Sequence, residues 1–226
     1  MVKKKKNAMP GANAGRRSLT TRPTPRGAGV VRICAGLWRK SPLLVADVAG
    51  LRPTPDRVRE TLFDWVRHLF GDLGALRVLD LFAGSGVLGL EAASRGAARV
   101  DFVERNREAA ALIRKNIEKF DAAERCVLHA GDAFSFLQET SLQFDLVLID
   151  PPYENEWQVR AIEASLTRLA PNGVMYVETP DAFLATDVLD RNGLVRLRGG
   201  RAGVVHYQLL TRTTSPLAAL AKPVKE

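Results

Sequence analysis

The sequence predicts a single α/β domain on a mostly parallel seven-stranded sheet, with helices on both faces and an antiparallel hairpin at its C-terminal end. Three observations carry this reading. From residue 76 onward, short and largely apolar strands alternate with helical segments, the pattern of parallel strands buried on both faces. A glycine-rich turn, "GSGVLG" at 84–89, joins the first of those strands to a helix. The last two strands, within "GLVRLRGGRAGVVHYQLL", have no helix between them and so must pair antiparallel.

Each segment follows in order. Residues 1–28 are rich in Pro, Gly, Thr and Ala without hydrophobic periodicity, which predicts a disordered tail. That tail carries Lys3, Lys4, Lys5, Lys6, Arg16, Arg17, Arg22 and Arg26 and no acid. Eight of the 33 basic residues therefore lie there, and the rest of the chain, with 25 basic and 25 acidic residues, is formally neutral. The net charge of +8 is thus a property of the tail, which reads as a solubilising extension or a weak anchor for phosphate backbones. Pro10, Pro23 and Pro25 interrupt any amphipathic targeting helix.

Residues 29–74 form a predicted N-terminal extension. "GVVRICAGLWRKSPLLVAD" mixes β-branched residues with turn breakers and predicts a short hairpin or two small strands. A helix follows over Pro55–Phe70, with Val58, Leu62, Trp65, Val66 and Leu69 on one face and Gly71 and Gly74 ending it. Residues 75–212 form the main domain. Its strands are "LRVLDLF", "RVDFVE", "RCVLHA", "FDLVLID" and "GVMYVET", its helices "GVLGLEAASRG", "NREAAALIRKNIEKF", "SFLQET" and "EWQVRAIEASLTRL". The final hairpin is expected to turn at Gly199-Gly200, and 213–226 to be a flexible tail.

The composition, 46% hydrophobic and 26% charged, is that of an ordinary globular domain. No apolar run approaches the length of about 18 residues that a membrane span needs. Cys34 and Cys126 are isolated, and His68, His129 and His206 are scattered, so free thiols, a reducing cytoplasmic setting and no metal site are expected. No heptad or exposed apolar stripe argues for a partner chain, so a monomer is expected.

Two stretches carry chemistry. In "LDLFAGSGVLGLEAA", Gly84, Gly86 and Gly89 stand in G-x-G-x-x-G spacing between a strand and a helix. Such glycines permit a tight turn, close ligand approach and close helix–sheet packing, for a nicotinamide cofactor or for S-adenosylmethionine. Glu104 ends the second strand, where it would chelate ribose hydroxyls in either case. Asp80 just before the loop disfavours a diphosphate but suits the cationic methionine end of S-adenosylmethionine. Asp132, after the third strand, reads either as an adenine contact or as a helix cap. Three acids at the ends of the first three strands favour S-adenosylmethionine.

The second stretch is Asp150-Pro151-Pro152-Tyr153, where the fourth strand stops. An exocyclic base amine is a poor nucleophile because its lone pair is drawn into the ring. Hydrogen bonds from its two N–H groups to the Asp150 carboxylate and the Pro151 carbonyl would localise that pair toward an incoming methyl group. The prolines fix φ at both positions and so hold the acceptors. Tyr153 offers a stacking face worth ~1–3 kcal/mol, and a base that reaches it must be single-stranded or flipped.

The corner and the glycine loop together resemble S-adenosylmethionine-dependent amino-methyltransferases, which act on adenine, cytosine or guanine amines or on a glutamine amide. "GLRPTPDRVRETLFDWV", with "RICAGLWR" upstream, is more specific. It is similar to the bacterial small-subunit (16S) ribosomal RNA guanine-N2 methyltransferases that act on guanine 966, and the resemblance spans about residues 30–210. It implies a Rossmann-like methyltransferase sheet and a pocket for S-adenosylmethionine lined by Asp80, Phe82, Ala83, Gly84, Ser85, Gly86, Glu104, Arg105, Asp132, Ala133 and Asp150. It also implies that Asp150, Pro151, Pro152 and Tyr153 hold the guanine N2. Arg32, Trp38, Arg39, Lys40, Arg52 and Arg57 would then face the RNA, free or in an assembling particle.

In one departure, "KSPLLV" stands where relatives carry further basic residues, a loss the basic tail would offset. Arg57, Arg59 and Glu60 read equally as helix-surface ion pairs or RNA contacts. Among alternatives, a DNA adenine-N6 methyltransferase lacks a visible target-recognition domain here. A protein-glutamine methyltransferase would more often begin its corner with Asn. A nicotinamide-dependent oxidoreductase leaves the corner unexplained, and an RNA-binding module without catalysis needs no cofactor loop.

Overall fold

The computed structural model describes residues 31–45, 53–152, 157–180 and 182–221. The basic tail at 1–28, Arg52 and Tyr153 lie outside them. In chain order the elements are α1 (Asp56–Phe70), β1 (Arg77–Asp80), α2 (Val87–Ser94), β2 (Arg99–Glu104), α3 (Arg107–Lys119), β3 (Cys126–Ala130) and α4 (Ala133–Glu139). Then come β4 (Phe144–Ile149), α5 (Trp157–Ser165), β5 (Leu169–Pro180), α6 (Thr186–Arg191), β6 (Leu194–Ala202) and β7 (Val205–Arg212).

One seven-stranded sheet runs β3-β2-β1-β4-β5-β7-β6. Strands β1 to β5 pair in parallel, and β7 inserts antiparallel between β5 and β6. The strand order reverses between β1 and β4, which places ligands at the carboxyl ends of those two strands. The period-two alternation of side chains sorts the core into two layers. Val78, Phe102, Leu148 and Tyr176 face α1, α2 and α3, packing with Leu62, Leu90 and Ile113. Leu79, Val103, Val147 and Met175 face α4, α5 and α6, packing with Phe134, Ile162 and Leu189. The main-domain architecture is the one the alternating pattern predicts.

The N-terminal extension keeps the predicted hairpin only in its shortest form. Residues 33–41 form a tight loop closed by a single antiparallel bridge, Arg32 to Pro42, with Lys40 N–H bonded to Ile33 O at 2.8 Å. Ile33 N–H meets Ser41 O at 3.1 Å and Leu43 N–H meets Val31 O at 2.9 Å on either side of that bridge, so Pro42 sits where the pairing needs no N–H from it. The C-terminal hairpin does not turn at Gly199-Gly200, which lie inside β6, but at Gly203, whose φ is +63°. Gly200 is needed for space, because a Cβ there would sit 2.5 Å from the Tyr207 ring. Residues 216–220, assigned by sequence to a tail, form a 3-10 helix capped by Ser215, and Arg198 donates to Leu220 O at 2.7 Å. Helix α6 went unforeseen because its six residues are too short to show a helical period.

Candidate active site

The glycine loop leaves β1 and enters α2 with Gly84 and Gly86 at φ +53° and +72°, a conformation that favours glycine. Gly89 serves packing instead: a Cβ there would lie 2.3 Å from the Phe102 ring on β2. Asp80 ends β1 beneath the loop, fully buried, and its Oδ2 accepts the Gly89 N–H at 2.9 Å. Burial, opposed by that hydrogen bond and reinforced by Glu104, pushes the Asp80 carboxyl up to about 7.

Glu104 ends β2 with both oxygens turned to the backbone, Oε2 accepting Gly84 N–H and Oε1 accepting Asn106 N–H, each at 2.6 Å. Each carboxylate oxygen of Glu104 accepts one of these bonds and keeps a second acceptor site for a ribose hydroxyl. Its present work is to fasten the loop to β2. Asp132 is the helix cap: Oδ1 accepts Phe134 N–H and Ser135 N–H, both at 3.0 Å. Asp132 is exposed, and Ala133 behind it is buried. An aromatic wall closes this side. Phe82 lies within 6.2 Å of both Phe134 and Trp157, and the exposed Arg105 guanidinium sits 5.0 Å over the Trp157 ring.

The corner leaves β4 directly beside the loop, since β1 and β4 are hydrogen-bonded neighbours and Leu81 N–H meets Leu148 O at 3.1 Å. Pro151 is buried and Pro152 exposed. Burial first, and then the charges of Glu178 and Asp80, hold the Asp150 carboxyl well above the usual carboxylate range. Asp80, Glu104, Asp150 and Glu178 all project to the α1–α2–α3 side of the sheet, because Asp80 aligns with Phe102 and Leu148, and Ile149 aligns with Val177. Four acids therefore converge where a ligand would meet the loop. A diphosphate would face uncompensated carboxylates there, whereas a sulfonium and an ammonium would be attracted, so the donor set fits S-adenosylmethionine.

Glu178 was not singled out from the sequence, nor was Thr54. The available signal was a lone acid near the end of the apolar run "GVMYVET", a position where an unpaired charge is costly. Glu178 is 4% exposed, and its Oε1 accepts the Thr54 hydroxyl at 3.1 Å and the Tyr176 hydroxyl at 2.8 Å.

The residues expected to face RNA divide. Arg32, Arg39, Lys40 and Arg57 are exposed, Arg32 at the bridge that closes the 33–41 loop, Arg39 and Lys40 on that loop and Arg57 on α1. Arg32 also donates to Lys40 O at 3.2 Å. Trp38 is not an RNA-facing ring: it is buried and stacks on Phe120, centroids 4.6 Å apart. Arg59, read as a surface or RNA-contacting residue, is wholly buried, with bonds to Asp56 and Arg32 O and Glu91 at 3.5 Å. The loop is seated on α2 by Ser94 and Glu91. Leu37 N–H meets Ser94 O at 2.7 Å, and Cys34 and Ala35 N–H meet Glu91 at 2.9 and 3.0 Å. A Cβ on Gly36 would lie 1.9 Å from Ser94 O, so only glycine allows this approach. One short helix thus carries the cofactor loop at its start and the basic loop at its end.

Among the described residues no group of side chains could hold a metal ion, and no helix is long and apolar enough to cross a membrane.

Over residues 31–210 the chain matches the family described as conserved hypothetical protein 95. It is 38% identical over 192 residues to Ribosomal RNA small subunit methyltransferase D of Haemophilus influenzae, covering 82% of this chain and 96% of that protein. To the protein of the same name from Escherichia coli K12 it is 36% identical over 198 residues, covering 84% and 94%. The solved structure of yhhF from Escherichia coli aligns with a TM-score of 0.70 and 32% identity, over 83% of this chain and 100% of that one.

Proposed function

The chain belongs to the conserved hypothetical protein 95 family, and we propose that it methylates small-subunit ribosomal RNA, transferring a methyl group from S-adenosylmethionine to the exocyclic N2 amine of a guanine, guanine 966 of 16S RNA. The observation that carries this reading is the adjacency of Asp150-Pro151-Pro152 to the glycine loop across the β1–β4 pair. The relatives named as small-subunit ribosomal RNA methyltransferases support the RNA substrate.

Asp80, Phe82 to Gly86, Glu104, Arg105, Asp132 and Ala133 would hold the cofactor, whose contribution is a methyl group on a positively charged sulfur. Asp80 sets the charge of that pocket, and Glu104 keeps the loop in shape through Gly84. Asp150 accepts one N–H of the target amine and the Pro151 carbonyl the other, which aims the nitrogen lone pair at the methyl carbon. Formation of the C–N bond would be matched by cleavage of the methyl–sulfur bond, whose electron pair stays with the departing neutral thioether, and the nitrogen, left cationic, must shed a proton. Asp150, with its carboxyl held above the usual range, is placed to take it. Tyr153 would stack on the flipped base. Arg32, Arg39, Lys40, Arg52 and Arg57 would neutralise phosphates, and that term makes binding salt-dependent.

The test is to supply labelled S-adenosylmethionine with unmodified small subunits, naked ribosomal RNA or DNA, and to digest the product to nucleosides. Label in N2-methylguanosine from RNA is expected. Label in adenine, or in DNA alone, overturns the reading.

A further inference from the structure

Glu178 has no role in the machinery described so far, yet it stands at its centre. Strands β4 and β5 pair in parallel with Ile149 opposite Val177, so the next residues, Asp150 and Glu178, are register neighbours on the same face. Two hydroxyls from separate elements, Thr54 before α1 and Tyr176 on β5, both hold Oε1, which leaves Oε2 outside that clasp. A neutral glutamine could accept the same two hydroxyl bonds without setting a second carboxylate against Asp150. The charge itself raises the cost of ionising Asp150. A pair of adjacent buried carboxylates at the carboxyl edge of a sheet calls for a ligand that relieves both.

The bases differ in what they bring. Guanine presents two neighbouring donors, the imino N1–H and the N2 amine. Adenine sets a bare N1 lone pair beside its amine, and cytosine a bare N3 lone pair beside its own. We propose that Glu178 determines specificity, its carboxylate accepting the guanine N1–H while Asp150 accepts from N2. This rests on the guanine-N2 reading above. Guanine satisfies both acceptors at once. Adenine or cytosine would aim a lone pair at Glu178 and leave a buried charge unrelieved, a rejection stronger than loss of a favourable contact alone. The N1–H bond also returns electron density to the ring, which improves N2 as a nucleophile.

The experiment competes two target RNAs in one reaction, one with guanine and one with 2-aminopurine at the methylated position. The analogue keeps the 2-amine but carries a bare N1 lone pair. Wild type is expected to favour guanine by about a hundredfold or more. Glu178→Gln, whose amide can donate to a bare N1, is expected to narrow that ratio by about tenfold or more. A ratio taken within one preparation does not depend on the fraction folded. Thr54→Val, which loosens Oε1 without changing charge, should narrow it by a smaller factor. An unchanged ratio in both variants overturns the role of Glu178 and leaves the guanine-N2 reading standing. A wild-type protein that methylates no guanine RNA overturns that reading and this inference together.

Discussion

Arg59 on α1 and Glu91 on α2 form an ion pair with both side chains wholly buried, Nη1 to Oε2 at 3.5 Å. The pair binds three parts of the chain. Glu91 also accepts the Cys34 and Ala35 N–H groups and Arg95, and Arg59 also reaches Arg32 O. The basic loop, the first helix and the helix that carries the cofactor loop therefore share one electrostatic joint.

Glu91→Ala removes one of the two carboxylates that pair with the buried Arg59 guanidinium, leaving Asp56 alone, and strands the Cys34 and Ala35 N–H groups. It is expected to lower unfolding free energy by about 3–5 kcal/mol, read from urea denaturation. A loss below about 1 kcal/mol would show that the pair is not a joint.

The stability of the free protein is expected to fall as pH rises from about 4 to about 7 through Asp80. In the unfolded chain its carboxyl has the ordinary value of 3.8, and in the folded protein about 7. Between those values the folded state keeps a proton that the unfolded state has released, so raising the pH favours unfolding, and the effect levels off above 7. Asp80→Asn retains an oxygen for the Gly89 N–H and removes the charge. It should flatten this slope and stabilise the free protein above pH 7, while weakening cofactor binding by about tenfold or more. An Asn variant with the wild-type slope contradicts the assignment.

Gly89→Ala reverses the usual sign of a helix substitution. Ala in a helix interior normally gains about 1 kcal/mol over Gly. Here the added Cβ meets the Phe102 ring at 2.3 Å, so a net loss of about 1–3 kcal/mol is expected in thermal or urea unfolding. A stabilised variant would mean that α2 can lift off the sheet without cost.

Trp38 and its neighbours should separate cleanly. Trp38→Ala empties a stacked, buried site and is expected to cost about 3–5 kcal/mol of stability. Arg39→Ala and Lys40→Ala, both exposed, should leave stability unchanged and lower RNA affinity, each flattening the salt dependence by about one phosphate contact. Equal stability losses in all three would contradict this division.

The sheet was legible because its signals are local: near-continuous apolar runs alternating with helical segments, and glycines after β1. The loop and the corner were legible because Gly84, Gly86 and Asp150 stand at strand ends, where chain direction fixes location. What escaped depends on partners distant in sequence. Trp38 in a basic stretch reads as an RNA-stacking ring until Phe120, 82 residues away, is brought against it. Arg59 on a helix reads as a surface charge until Glu91 is placed beneath it. Glu178 becomes a site residue only when the β4–β5 register sets it beside Asp150. Gly200 reads as a turn until Tyr207 needs its space.

The account rests most heavily on Asp150 as the group that holds the reacting amine. Single-turnover methyl transfer to RNA by Asp150→Ala, measured beside the variant's affinity for S-adenosylmethionine, tests this directly. The rate is expected to fall by about 10²–10³-fold or more, with cofactor affinity changed only a few-fold. Methyl transfer at close to the wild-type rate would contradict the account.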